Sequence, residues 1–333
     1  MTSPDLPGQG APADPGPSRP GTSTFTIEGR SAPALFVVGW LATLAGGGLI
    51  LVAVLSAGGA STWLLLAGVV LLGVGLIAGA GSQGIERRVR GTAAYLGPSP
   101  FLVFAASIPV SLLAVVLIAI PIGLAGQPID GPLGRLASVL VQALVYIALI
   151  RLLVVDTGAL SWGEMGWRRP DTRAIGELLG GAAWALPVIV ATIPVSAILL
   201  LLFPVTPESP LPPAGSPGGF AINLLAGAVI APIGEEIMFR GFATTAWARA
   251  IGARPGLVRA ALFFALAHVI TIAGSSLGEA FGLAVVGFAT RIPVALALGW
   301  LFLRRGSIWA PLGLHSTFNL VLLVIGEVAA RPV

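Results

Sequence analysis

The amino-acid sequence predicts an all-α, polytopic transmembrane helix bundle of about eight or nine spans. Three observations carry that expectation. Charged residues make up only 10% of the 333-residue chain while apolar residues reach 56%, and mean hydropathy is +0.96. A soluble domain carries about 25% charge, so this surface has to meet lipid. Apolar runs recur at lengths suited to a helix crossing of about 20 residues. Arginine, finally, gathers on alternate connections, as the positive-inside rule requires.

Taken in order, residues 1–32 are rich in Pro, Gly, Ser and Asp. They lack the apolar density that would offset ordering, and read as a disordered tail. They also lack the basic start and short apolar run of a signal peptide. Residues 33–173 read as an N-terminal transmembrane region, with runs near 33–56, 62–82, 101–124 and 136–155. Its end, Ser161 to Pro170, holds Trp162, Trp167, Arg168 and Arg169, which suit an interfacial connector. Residues 174–333 form a second membrane region with runs near 176–203, 220–248, 257–273, 282–303 and 307–327. The run at 282–303 is interrupted by Arg291 and Pro293, and reads as a re-entrant piece followed by a short span.

All 18 basic residues are Arg. With the N-terminal tail in the cytoplasm, most of them fall on cytoplasmic connections, and Arg135, Arg291 and Arg331 fall on the far side. This orients a multi-pass protein in the plasma (inner) membrane, with the C-terminus outside if the span count is odd. The Arg residues are scattered between apolar runs rather than gathered on one face, which argues against nucleic-acid binding. The absence of Cys excludes disulfides, thiolate catalysis and Cys-ligated metal.

Ionisable groups inside apolar runs are expensive and point to function. Glu235 and Glu236 are adjacent, so a helix turns them about 100° apart and gives them different tasks. Glu236 and Arg240 are spaced i,i+4 in the favourable order for an ion pair, leaving Glu235 to face something else. The alternative is that both acids share Arg240 as a packing pair. His268 lies one turn after Phe264. His315 and Asn319 show two polar tips on one helix face. Each alone suits interhelical hydrogen bonding. At helical rise, Glu235 lies roughly 20 Å from Arg249, His268 roughly 16 Å from Leu257, and His315 and Asn319 roughly 12 and 18 Å from Ser307. Three helices therefore bring their polar groups to one layer near mid-bilayer.

A carboxylate and an imidazole can hold and deprotonate a water. A second imidazole and a carboxamide can donate to a developing oxyanion. That set hydrolyses a peptide bond without a covalent intermediate. Two His and one Glu also make a catalytic zinc set, so the sequence leaves open a site that needs no cofactor or one divalent metal such as zinc held by Glu235, His268 and His315. The local His-Glu-x-x-His spacing of a helix-borne zinc site is absent.

Glu235-Glu236-x-x-x-Arg240, Phe264-x-x-x-His268 and His315-x-x-x-Asn319, with the Arg305-Gly306-Ser307-Ile308-Trp309 stretch, resemble the motifs of the CAAX protease and bacteriocin-processing (CPBP) family of intramembrane endopeptidases, and are similar to those of type II CAAX prenyl endopeptidases. The resemblance covers roughly residues 220–325. It implies that Glu235 and His268 activate water, that His315 and Asn319 stabilise the oxyanion, and that Glu236, Arg240 and Phe264 support them. It implies a membrane-associated peptide or protein as substrate. A non-catalytic immunity or scaffold protein of the same fold is the alternative. A transporter ranks last, because the Glu-Glu segment has no repeat in the N-terminal half. The Arg-only, Ala- and Gly-rich composition points to a GC-rich bacterial genome.

Overall fold

A computed structural model describes residues 24–27, 30–56, 60–91, 94–207 and 211–330. Among them the protein is all-α apart from one two-stranded antiparallel ribbon, β1 (Thr24–Ile27) and β2 (Arg30–Pro33). This ribbon occupies the end of the stretch read as a disordered tail; residues 1–23 and 28–29 of that tail lie outside the described residues. The helices are α1 (Ala34–Leu55), α2 (Ala60–Arg90), α3 (Pro100–Leu124), α4 (Pro132–Val155), α5 (Thr172–Ala182), α6 (Ala185–Leu202), α7 (Pro217–Ile251), α8 (Ala253–Ala267), α9 (Leu277–Arg305) and α10 (Trp309–Ala329). Counting α5 and α6 as one interrupted span, eight are long and apolar enough to cross a bilayer. The chain is a multi-pass membrane protein.

Two of the apolar runs behave differently from their sequence reading. The run at 282–303 is not interrupted: α9 continues through Arg291 and Pro293 for 29 residues. Arg291 is therefore its middle residue, not a far-side residue. The run at 257–273 is the broken one. Its helix, α8, has 15 residues and reaches only about 22 Å at helical rise, short of a hydrocarbon core of about 30 Å.

Contacts at the helix ends show how the chain still passes across. The 156–171 connector ties down the end of α7, where Arg249 Nη2 donates to Glu164 Oε1 at 2.8 Å. It also holds the start of α10, where Ile308 N donates to the Gly166 carbonyl at 3.2 Å and Trp309 Nε1 to the Arg168 carbonyl at 3.2 Å. So α7 and α9 both end on the connector face. At the opposite face, Phe203 just after α6 packs on Phe281 in the first turns of α9, ring centroids 6.2 Å apart. The chain thus leaves the connector face through α8, crosses the remaining depth in the irregular stretch 268–276, and returns through α9. Non-helical backbone at such depth survives only where protein or a polar cavity covers it. His268 stands where this helix stops.

Close packing sets the positions of the polar helices. A Cβ on Gly181 of α5 would lie 1.8 Å from the Ala310 carbonyl oxygen, and one on Gly313 of α10 would lie 1.9 Å from that of Leu178. The two backbones touch through reciprocal glycines, the small-residue contact that membrane helices use to approach. Gly234 does the same for α7 against Ala143 of α4. An aromatic cluster fills the space beneath: Phe239 meets Phe104, Tyr146, Phe263 and Phe264 at centroid distances of 5.1 to 6.4 Å.

Candidate active site

The acidic motif sits on a helix that is not regular. Leu225–Ile230 and Glu236–Thr244 of α7 have i→i+5 hydrogen bonding, a geometry found mostly as short interruptions near functional sites. Its first stretch has a local cause. The Ala231 amide bonds the Ala226 carbonyl, and the next bond in that register would run from residue 232 to Gly227. Residue 232 is Pro and has no N–H to give. The Gly227 carbonyl is served from another helix, by Asn319 Nδ2 of α10 at 2.8 Å.

All nine residues from Glu236 to Thr244 are buried. Glu236 Oε1 receives Arg240 Nη1 at 3.1 Å, with side chains 0% and 2% exposed. The ion pair expected from the spacing is present. The same oxygen also receives His315 Nδ1 at 2.7 Å, a bond between α7 and α10 that the spacing did not announce. The Arg240 guanidinium lies over the Phe264 ring, 4.1 Å from its centroid. Phe264 in turn packs against His268 at 4.4 Å and His315 at 5.8 Å. It is the apolar floor on which both imidazoles and the arginine rest.

Glu235 points elsewhere, as its place next to Glu236 suggested. Its Oε2 accepts no protein hydrogen bond. His268 Nε2 stands 3.5 Å and His315 Nε2 3.7 Å from it. His268 is oriented from behind: its Nδ1 lies 2.7 Å from the Phe264 carbonyl, one of the orphan acceptors at a helix C-terminus. A carbonyl only accepts, so Nδ1 carries the proton, and Nε2 of a neutral His268 presents a lone pair. The same reasoning applies to His315, whose Nδ1 faces a carboxylate. Three acceptors, two imidazole nitrogens and one carboxylate oxygen, thus converge on one point when both rings are neutral. Such a point calls for a proton donor, and water is a small one with two hydrogens. The side chains of Glu235 and His268 are 20% and 26% exposed and that of His315 only 5%, so the site opens along its Glu235–His268 edge.

Among the described residues, no group of three or more His, Cys, Asp or Glu side chains is arranged to hold a metal ion. Glu235, His268 and His315, the set through which zinc would be held, do not form such a group.

Two neighbours were missed as members of the site. Tyr146 of α4, whose hydroxyl accepts from Gln142 Nε2 at 2.9 Å, and Arg291 of α9 both lie close enough to Glu235 to interact with its charge. A tyrosine in an apolar run gives no signal. Arg291 did, but as an apparent break in a helix.

Residues 217–321 match a family model described as type II CAAX prenyl endopeptidase Rce1-like. The matched span contains Glu235, Glu236, Arg240, Phe264, His268, His315 and Asn319. It leaves α1–α6 outside. No curated protein and no solved structure matches the chain. The stretch from α7 to the middle of α10 is therefore similar to type II CAAX prenyl endopeptidases.

Proposed function

We propose that the protein is an intramembrane endopeptidase that hydrolyses a peptide bond of a membrane-associated protein or peptide. The observation that supports this most is the convergence of Glu235 Oε2 with the Nε2 atoms of His268 and His315 at 3.5 and 3.7 Å. A water held there donates one hydrogen to Glu235 and one to His268. Its lone pairs are then free to attack a carbonyl carbon on the open edge, while Glu235 takes the proton as general base. The tetrahedral oxyanion needs donors. Asn319 has a second Nδ2 hydrogen besides the one given to Gly227. His315 Nε2 can donate to the oxyanion when that nitrogen carries a proton. Collapse breaks the C–N bond, and the proton on Glu235 passes to the leaving amine. No metal enters these steps.

The arginines at the ends of α7 and α9 and in the connector, among them Arg168, Arg249, Arg304 and Arg305, put the connector face in the cytoplasm by the positive-inside rule. That sidedness supports an N-terminus inside, and the Arg-only, Ala- and Gly-rich composition supports the plasma membrane of a bacterial cell.

Glu235→Gln keeps the shape and removes the base. Turnover of a membrane-presented peptide library by the purified full-length protein should fall by about 10²–10⁴-fold. Chelator treatment should leave wild-type turnover intact. Unchanged turnover in Glu235→Gln rules out the general-base role. Loss on chelation, restored by added zinc, replaces the side-chain route with a metal-bound water.

A further inference from the structure

Arg291 is unlike every other arginine in the bundle core. Arg240 is compensated by Glu236 and covers Phe264. Arg291 sits at the midpoint of α9, roughly 21 Å from the Arg305 end by helical rise, the same layer as Glu235. Among the described residues no carboxylate lies within ion-pair distance of it. Its one hydrogen bond runs from Nη1 to the Gly287 carbonyl of its own helix at 2.7 Å. A guanidinium has five N–H donors, so most of them remain unspent. An arginine inside a membrane span normally pairs or faces a polar path.

Its surroundings say which path. A Cβ built on Gly287 would lie 3.2 Å from Arg291 Nη1, 3.2 Å from Val269 Cγ1 and 3.3 Å from Ile272 Cδ1. Arg291 Nη1 and the Val269 and Ile272 side chains, from the stretch that follows His268, thus all border Gly287. The Arg291 charge also reaches Glu235. The absence of a Cβ at Gly287 leaves the room in which the guanidinium lies along α9.

We propose that Arg291 anchors substrate: it pairs with a carboxylate of the bound peptide near the scissile bond and selects peptides that carry one. This rests on the endopeptidase reading above and names the substrate chemistry of that site. A planar guanidinium binds a carboxylate through two parallel hydrogen bonds. In a low-dielectric layer such a partner supplies the ion pair that Arg291 lacks among the described residues. The carboxylate comes either from an Asp or Glu side chain or from a free chain end. Arg291 is a specificity residue here, with no part in proton transfer.

The test uses full-length protein in liposomes and matched apolar peptides: one with an internal Glu and its Gln counterpart, and one ending in a carboxylate and its amide. Binding and turnover are both measured for wild type, Arg291→Gln and Arg291→Lys. Wild type should bind at least one carboxylate peptide about tenfold or more tightly than its neutral match. Arg291→Gln should erase that preference, lowering binding and turnover of the carboxylate peptide about tenfold more than those of its neutral match, and Arg291→Lys should recover part of it. Which pair shows the preference assigns the carboxylate to side chain or terminus. A preference that persists in Arg291→Gln, no preference in wild type, or an equal loss on charged and neutral peptides overturns the proposal. If wild type binds with the preference but cleaves nothing, the anchor stands and the endopeptidase reading fails.

Discussion

The helices α1 and α7 are both long enough to cross a membrane, and they use their residues in opposite ways. In the most apolar window of α1 only 11% of residues are buried inside the protein, against 33% in α7, although α7 is the least apolar of the spans. Leu41, Leu51 and Val54 of α1 face outward, where lipid tails are as good a solvent as protein. In α7 every residue from Glu236 to Thr244 is buried. Apolarity thus reports that a segment lives in the membrane, while burial follows the polar groups that lipid cannot solvate. The helix that looks less like a membrane span is the one the bundle is built around.

Substitutions can break this comparison if it is wrong. The largest effect should come from Glu236→Gln, which leaves Arg240 buried without a counter-charge. Removing one partner of a buried pair costs about 3–5 kcal/mol, so thermal unfolding in detergent should shift sharply downward. An unchanged melting temperature would mean that Arg240 finds another partner. Next comes a matched glycine pair. Gly313→Ala on α10 forces a Cβ into the Leu178 carbonyl and should cost about 1–3 kcal/mol. It should also lower kcat, because α10 carries His315 and Asn319 and a displacement of about 1 Å can cost 10²-fold. Gly47→Ala on α1, where a Cβ would meet nothing within 4 Å, should stay within about 0.5 kcal/mol. Equal effects from the two would remove the distinction between the regions.

The smallest effect belongs to the connector. The Ser161 backbone N–H, then the Arg249 guanidinium and the Ser161 hydroxyl, hold the Glu164 carboxyl down to about 2 from an ordinary 4.5. A depressed carboxyl contributes stability that is fully present above about 4.5 and is lost as the pH falls toward 2. The pair is exposed, with side chains 37% and 44% accessible, so its worth is below about 1 kcal/mol. Glu164→Gln should flatten the acid limb of a stability–pH curve slightly and leave stability at neutral pH almost unchanged. A large neutral-pH loss would show that the connector holds α7 and α10 together far more strongly than an exposed pair allows.

How much of this could be read beforehand depends on the kind of residue. Glu235, Glu236, Arg240, His268, His315 and Asn319 stood out because ionisable and amide groups are rare in apolar runs; the structure brings the first five together, while Asn319 reaches the Gly227 carbonyl. Their partners did not. The bond from His315 to Glu236 and the Asn319 contact with Gly227 join residues far apart in the chain, and no local pattern encodes them. Arg291 was noticed and misplaced. A charge and a proline two positions apart look like a break, yet a helix in a bundle can carry both when neighbouring groups take up the freed polar atoms. The run around His268 looked continuous, and it breaks at His268.

Composition and spacing by themselves determined that this chain lives in a bilayer as helices and which polar side chains stand out inside them. They could do so because lipid rejects charge and unpaired backbone so strongly that every exception is visible in one dimension. Tertiary structure alone decided where α8 stops, which nitrogen of each imidazole is spoken for, and that Arg291 shares the layer of Glu235 without a carboxylate of its own. Those are distances and directions between helices. They arise from glycine-to-backbone contacts and i→i+5 turns that no single segment specifies.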